Sequence, residues 1–156
     1  MKAVEPYPRA ADIGRQLAGR GLRLTAQRRL VYAVLVEELD HPTAETVFLR
    51  VKRRMPEISL ATVYNCLEAL VCCGLARRVV VDPMARRFCP NMNEHSHFYC
   101  EDCGGVYDVA PGLQRPGDAV TLPRGFRARR YEVSIRGLCS ACAARAGHRQ
   151  PKRIHA

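Results

Sequence analysis

The apolar positions of the first half recur every three or four residues, the period of a helix that buries one face. Leu30, Val31, Val34, Leu35 and Leu39 make one such stripe, in a helix predicted from Leu24 and broken by Asp40-His41-Pro42. Thr43 can cap a second helix with Ala44, Val47, Phe48, Val51 and Met55 inward, ended by Pro56. Ser59 suits the N-cap of a third, which turns Val63, Leu67, Leu70 and Val71 to the core and stops at Gly74. The period then changes to a short β-branched run, Arg77-Arg78-Val79-Val80-Val81, a turn at Asp82-Pro83, and a return through Arg86-Arg87-Phe88. Three helices followed by a basic hairpin outline a winged helix-turn-helix. Such a fold lays its last helix in the major groove and can set its wing against the phosphate backbone.

Beyond Phe88 the texture differs. Cys89-Pro90-Asn91-Met92-Asn93-Glu94 is polar and reads as a hinge. Strands are predicted at His97–Cys100, Val106–Val109 and Phe126–Arg136, the last with alternating Tyr131, Val133 and Ile135. Pro111-Gly112 and Pro116-Gly117 argue against a long helix between them. The fold class is therefore α+β. A flexible arm is expected over 1–11 and a winged-helix DNA-binding domain over 12–88. The hinge at 89–94 leads to a small α/β domain over 95–147, and a basic disordered tail follows over 148–156.

The chain has 156 residues and a net charge of +10, with 25 Lys+Arg against 15 Asp+Glu, and the excess lies on both sides of Pro90. Spread basicity of this kind favours a polyanionic partner such as nucleic acid. No stretch approaches the roughly 18–20 apolar residues of a membrane span. The N-terminal segment MKAVEPYPRAADIG lacks the apolar core of an export signal. The expected location is the cytoplasm, where eight cysteines point to metal or redox chemistry rather than disulfides.

Cys100-Glu-Asp-Cys103 and Cys139-Ser-Ala-Cys142 are two Cys-x-x-Cys pairs with 35 residues between them. Each pair puts two thiolates on one turn, and four thiolates suit a closed tetrahedral Zn²⁺. Gly104, Gly105 and Gly137 permit tight knuckles around them. Five further metal-capable residues lie outside this clamp: His41, Cys89, His95, His97 and Asp108. His95 and His97 are alternate residues entering a strand and share a face. Asp108 belongs to the strand that should pair next to His97. Each residue also has a structural reading, with His41 at a helix cap, Cys89 as a buried apolar residue and Asp108 as a turn acceptor.

The ordered pieces Arg23-Leu24-Thr25-Ala26-Gln27-Arg28, His41-Pro42-Thr43-Ala44 and Ala61-Thr62-Val63-Tyr64-Asn65 precede His95-x-His97-x-x-Cys100-x-x-Cys103-Gly104 and Cys139-x-x-Cys142. In this combination, from about Leu22 to Cys142, the chain resembles the ferric uptake regulator family of bacterial metal-dependent repressors. The resemblance implies an N-terminal winged helix, a C-terminal dimerisation domain, a four-cysteine zinc site and a separate regulatory metal. It assigns His41, Cys89, His95, His97 and Asp108 to the regulatory ligand positions. Two departures bear on the metal. The position of Cys89 is a carboxylate in iron- and peroxide-responsive members and a cysteine in some zinc-uptake regulators, and a thiolate favours Zn²⁺ over Mn²⁺ or Fe²⁺. His41 and the Thr-Val-Tyr-Asn run instead look like the peroxide-sensing branch. Glu94, Ser96 and Tyr131 stand where an auxiliary, His-rich site would be. Cys89-Pro90 also resembles the Cys-Pro dipeptide that ligates haem in some regulators.

On this reading the third helix offers Ala61, Thr62, Tyr64 and Asn65 to the groove. Asn65 suits adenine and Tyr64 a thymine methyl, so A/T-rich palindromic operators are expected, bound by a homodimer. Arg23, Arg28, Arg77, Arg78, Arg86 and Arg87 are the candidate backbone contacts, whereas Glu68 reads as structural. The alternatives are a peroxide-sensing repressor with iron at the regulatory site, a thiol-based redox enzyme using Cys89 or Cys72-Cys73, and a metal-storage protein. Cys66 beside the reader residues reads as a packed side chain before a redox switch. Neither a small-molecule substrate nor a membrane partner is expected.

Overall fold

A computed structural model describes residues 10–82, 85–110, 121–127 and 133–147. The chain divides into two compact units, Met1–Asn93 and Glu94–Ala156.

In the first unit, helices α1 (Ala10–Ala18), α2 (Ala26–Glu38), α3 (Ala44–Lys52) and α4 (Leu60–Cys72) precede a hairpin of β1 (Arg77–Asp82) and β2 (Ala85–Cys89). Thr25, Thr43 and Ser59 cap α2, α3 and α4, each side chain accepting the amide N–H three residues on. This removes orphan donors at each helix start. Helix α4 closes with Leu75 N–H on Leu70 O at 2.9 Å and Gly74 N–H on Val71 O at 3.1 Å. Gly74 has φ +69, the left-handed geometry that such a stop requires. Leu17, Val31, Leu35, Val47, Val51, Val63, Leu67, Leu70, Leu75 and Phe88 are completely or almost completely buried in one cluster. At roughly 1.5–3 kcal/mol per large buried side chain, this cluster fixes α4 against α2 and α3. The result is a winged helix-turn-helix.

The second unit holds β3 (Ser96–Cys100), β4 (Val106–Val109), β5 (Ser134–Gly137) and α5 (Ser140–Gly147) among its described residues. The sheet order is β4-β3-β5, with β3 antiparallel to β4 and parallel to β5. Its buried apolar side chains among the described residues are Tyr99, Cys100, Val106 and Cys142. Half of that core is cysteine.

Several expectations need correction. Residues 10 and 11, assigned to the extended arm, begin α1, whose Ile13 and Leu17 join the core; residues 1–9 lie outside the description. Helix α3 stops at Lys52 because Arg54 and Met55 both turn their N–H onto Val51 O. Of the long strand expected over 126–136, the described residues 126, 127 and 133 are not strand, β5 begins at Ser134 and runs to Gly137, and residues 128–132 lie outside the described residues. Phe126 instead closes a turn on Pro123 O at 3.1 Å, and Tyr131 falls outside the described residues, as do the Pro-Gly segments and the tail after Gly147. Helix α5 has no apolar stripe to announce it. No helix among the described residues is long and apolar enough to cross a membrane.

Candidate metal centres and nucleic-acid face

Cys100 ends β3 and Cys103 lies in the turn after it, while Cys139 lies between β5 and α5 and Cys142 in the first turn of α5. Parallel pairing of Cys100 with Gly137 brings the two knuckles side by side. All four Sγ atoms lie within 4.8 Å of one another, and all four cysteines are free thiols. Cys103 Sγ and Cys139 Sγ are 3.8 Å apart. A tetrahedral ion with Zn–S bonds of about 2.3 Å places its thiolates about 3.8 Å apart, so the donor set fits. Amide N–H donors of Cys103 and Cys139 stabilise the Cys100 thiolate and push its pKa down to about 6. The backbone of Cys142, at the start of α5, lowers Cys139 in the same way. The Cys142 thiol moves up, first through its hydrogen bond with Asp102 and then through burial. Gly104 takes φ +69 at the first knuckle, and a Cβ on Gly105 would sit 2.9 Å from the Tyr107 hydroxyl. Gly137 has ordinary contacts only, so its expected role in the knuckle is not required.

The remaining metal-capable residues form two groups, one in each unit. In the first unit the α2–α3 loop is sewn to the wing. Phe88 N–H donates to Pro42 O at 3.0 Å, Arg87 Nη1 donates to His41 O at 3.1 Å, and Thr43 bridges Arg87. Arg50 forks onto Asp40 at 2.9 and 2.5 Å and holds its carboxyl below the usual range. His41 is buried with φ 53, a left-handed backbone that costs a non-glycine residue on the order of 1 kcal/mol. This loop brings the His41 ring within 4.8 Å of the Cys89 thiol at the end of β2. In the second unit, β3 and β4 pair His97 directly with Asp108. Asp108 Oδ1 lies 3.3 Å from His95 Nε2 and 3.7 Å from His97 Nε2, and the two Nε2 atoms are 3.0 Å apart. Two imidazoles and a carboxylate aimed at one point are a divalent-cation donor set. Asp108 is a strand residue, not a turn acceptor.

On α4, Val63, Cys66, Leu67, Ala69 and Leu70 face the core, leaving Ala61, Tyr64 and Asn65 exposed and Thr62 half-exposed. The Thr62 hydroxyl is held 2.8 Å from Ser59 Oγ. Tyr64 donates to Glu45 Oε1 at 2.5 Å, which raises the phenol's pKa and lowers the carboxyl's. An open groove of about 250 Å³ runs between the start of α2 and α4, lined by Thr25, Gln27, Arg28, Thr62, Asn65 and Cys66. Burial pushes the Cys66 thiol up, against a redox role. Arg28 braces the loop before α2 by donating to Arg23 O at 2.6 Å. Within the wing, Arg77 donates to Asn93 O, Arg87 to His41 O, and Arg78 pairs with Glu68. These three guanidinium groups have internal partners, and Arg86 is exposed. Sequence reasoning singled out neither Glu45 nor the Asp102, Tyr107 and Arg145 that surround the four thiols.

A family model described as the ferric uptake regulator family matches residues 19–136. The peroxide operon regulator of Bacillus subtilis is 31% identical over 129 residues, spanning 82% of this chain and 89% of that protein. The peroxide-responsive repressor PerR of Staphylococcus epidermidis is 29% identical over 123 residues, 78% of this chain and 82% of its own. Among solved structures, the ferric uptake regulator of Helicobacter pylori aligns with TM-score 0.72 at 19% identity, covering 90% of this chain and 97% of that one. The Vibrio cholerae ferric uptake regulator aligns with TM-score 0.66 at 24% identity, covering 81% and 98%. These structural likenesses bear on the fold.

Proposed function

The chain belongs to the ferric uptake regulator family, and from that premise we propose that it is a metal-dependent transcriptional repressor that binds A/T-rich palindromic operators as a cytoplasmic homodimer. The observation that carries the metal dependence is the convergence of His95, His97 and Asp108. A winged helix that only bound DNA would have no use for it. Cys100, Cys103, Cys139 and Cys142 would hold a structural Zn²⁺, which supplies a closed cross-link and no open position for sensing. His41 and Cys89 of the first unit, with His95, His97 and Asp108 of the second, are the proposed regulatory donors.

Donors drawn from both units would make cluster occupancy favour one disposition of the two recognition helices in a dimer, a shift of population. Thr62, Tyr64 and Asn65 would read base edges. Glu45 sets the Tyr64 ring, and Ser59 sets the Thr62 hydroxyl. Arg23, Arg28 and Arg86 are the proposed phosphate contacts, whereas Arg77, Arg78 and Arg87 brace the wing. The experiment is a titration of a duplex selected in vitro from random sequence, with wild type and the His95→Ala/His97→Ala double variant. Cation should tighten binding by wild type only. Equal response by both proteins would sink the regulatory assignment.

A second reading, a peroxide-responsive repressor using Fe²⁺, is favoured by the relatives at 29–31% identity, which carry that function in their names. The Cys89 thiol argues instead for Zn²⁺. Loss of DNA binding on adding peroxide to the iron-loaded protein, but not to the zinc-loaded one, selects the second reading.

A further inference from the structure

The four thiols are ringed by side chains that the family reading leaves without a role. Arg145 lies three residues past Cys142 on α5, one turn along the same face. Its Nη2 donates to Cys142 Sγ at 2.8 Å and also reaches Asp102 Oδ2 at 3.3 Å. Asp102 sits inside the first Cys-x-x-Cys and Cys142 ends the second. One guanidinium therefore spans both knuckles, which 35 residues separate in the chain. We propose that Arg145 is a positioning residue of the four-cysteine centre, tying Cys142 to Asp102 so that the second knuckle stays closed on the ion.

The inference rests on the four-cysteine zinc reading given above. Four thiolates around Zn²⁺ leave two net negative charges, and a guanidinium donating to one sulfur offsets part of that charge. Charge-assisted hydrogen bonds of this kind are the stronger class. An outer-layer partner that orients a metal ligand alters metal affinity by about 10–100-fold when removed. Arg145 is two-thirds exposed, with 68% of its side chain accessible. Its effect is therefore open to screening, and salt separates a charge role from a packing role.

The test uses the zinc-loaded full-length protein and follows transfer of zinc to a chromogenic chelator. Arg145→Gln should release zinc at least about tenfold faster than wild type at low salt. Arg145→Lys keeps the charge but not the planar guanidinium whose Nη2 reaches both Cys142 and Asp102, so it and Asp102→Asn should fall between the two. The gap between wild type and Arg145→Gln should narrow in 1 M NaCl, where the screening length is about 3 Å. Zinc content measured beside the kinetics tells the two failures apart. One zinc per chain that Cys139→Ser abolishes, together with wild-type release by Arg145→Gln, overturns the role of Arg145 alone. Absence of zinc from wild type overturns the four-cysteine reading and this role with it. Should Arg145→Gln not fold, wild-type release by both Arg145→Lys and Asp102→Asn overturns the proposal.

Discussion

Ser59 separates two properties that most substitutions in a recognition helix confound. It caps α4 from an extended backbone (φ −95, ψ 155), accepting the Thr62 N–H at 3.1 Å and holding the Thr62 hydroxyl at 2.8 Å. Removing such a cap costs about 1 kcal/mol, within a range of roughly 0.5–2. With a urea m-value of about 1–3 kcal/mol/M, Ser59→Ala should lower the midpoint of the first unit by roughly 0.3–1 M. Fraying of the turn that carries Thr62 can weaken DNA binding by no more than that energy, about fivefold. Ser59→Asp preserves the cap, since Asp and Ser rank together there, and stability should stay within about 0.5 kcal/mol of wild type. It also places a carboxylate on the face proposed to approach phosphates. Affinity should then fall about tenfold at low salt, and the loss should shrink as salt rises. Urea unfolding and duplex titration on the same preparations measure both. Wild-type affinity for Ser59→Asp at low salt would refute the placement of α4 on DNA, and an unshifted midpoint for Ser59→Ala would refute the cap.

Arg86→Ala should weaken DNA binding and reduce the salt slope by about one, read from titrations at several salt concentrations. Arg87→Ala should instead lower first-unit stability, because it removes the donor to His41 O. In the zinc-loaded protein Cys139→Ser should lose the metal and the amide-exchange protection of β3–β5, with the first unit's unfolding midpoint unchanged; retained protection would contradict the dependence of the small core on a metal. The Cys100 thiol, held at about 6, is depressed from an unfolded value of about 8.5–9. Its thiolate thus stabilises the folded knuckle fully above that value, and the contribution is lost as pH falls toward 6. Because protons compete with zinc for this thiolate, zinc affinity measured against a competing chelator should fall as pH drops through about 6.

Helices α2, α3 and α4 were legible because each combines a full apolar stripe with a capping side chain. Helix α1 escaped notice because Ile13 and Leu17 supply a single i,i+4 pair interrupted by Gly14. Helix α5 was invisible because its start is organised by thiols and amides rather than by an apolar face. The group of four cysteines could be read directly, since Cys-x-x-Cys is a local pattern whose geometry one turn fixes. The pairing of His97 with Asp108 followed from strand order alone. The partners of Arg77, Arg78 and Arg87 did not, because a guanidinium's partner depends on contacts with distant segments that a basic hairpin does not announce. Arg145 carried one faint signal, its spacing three residues from Cys142, but its link to Asp102 appears only once β5 lies beside β3.

The most direct test of the account is the affinity of the zinc-loaded wild-type protein for its selected duplex, measured by titration first in a weak chelator that spares the thiolate-bound ion and then with added Zn²⁺, Mn²⁺ or Fe²⁺. At least one cation should tighten binding tenfold or more, on the order of 1.4 kcal/mol. Identical affinity in chelator and in all three cations would contradict metal-dependent repression.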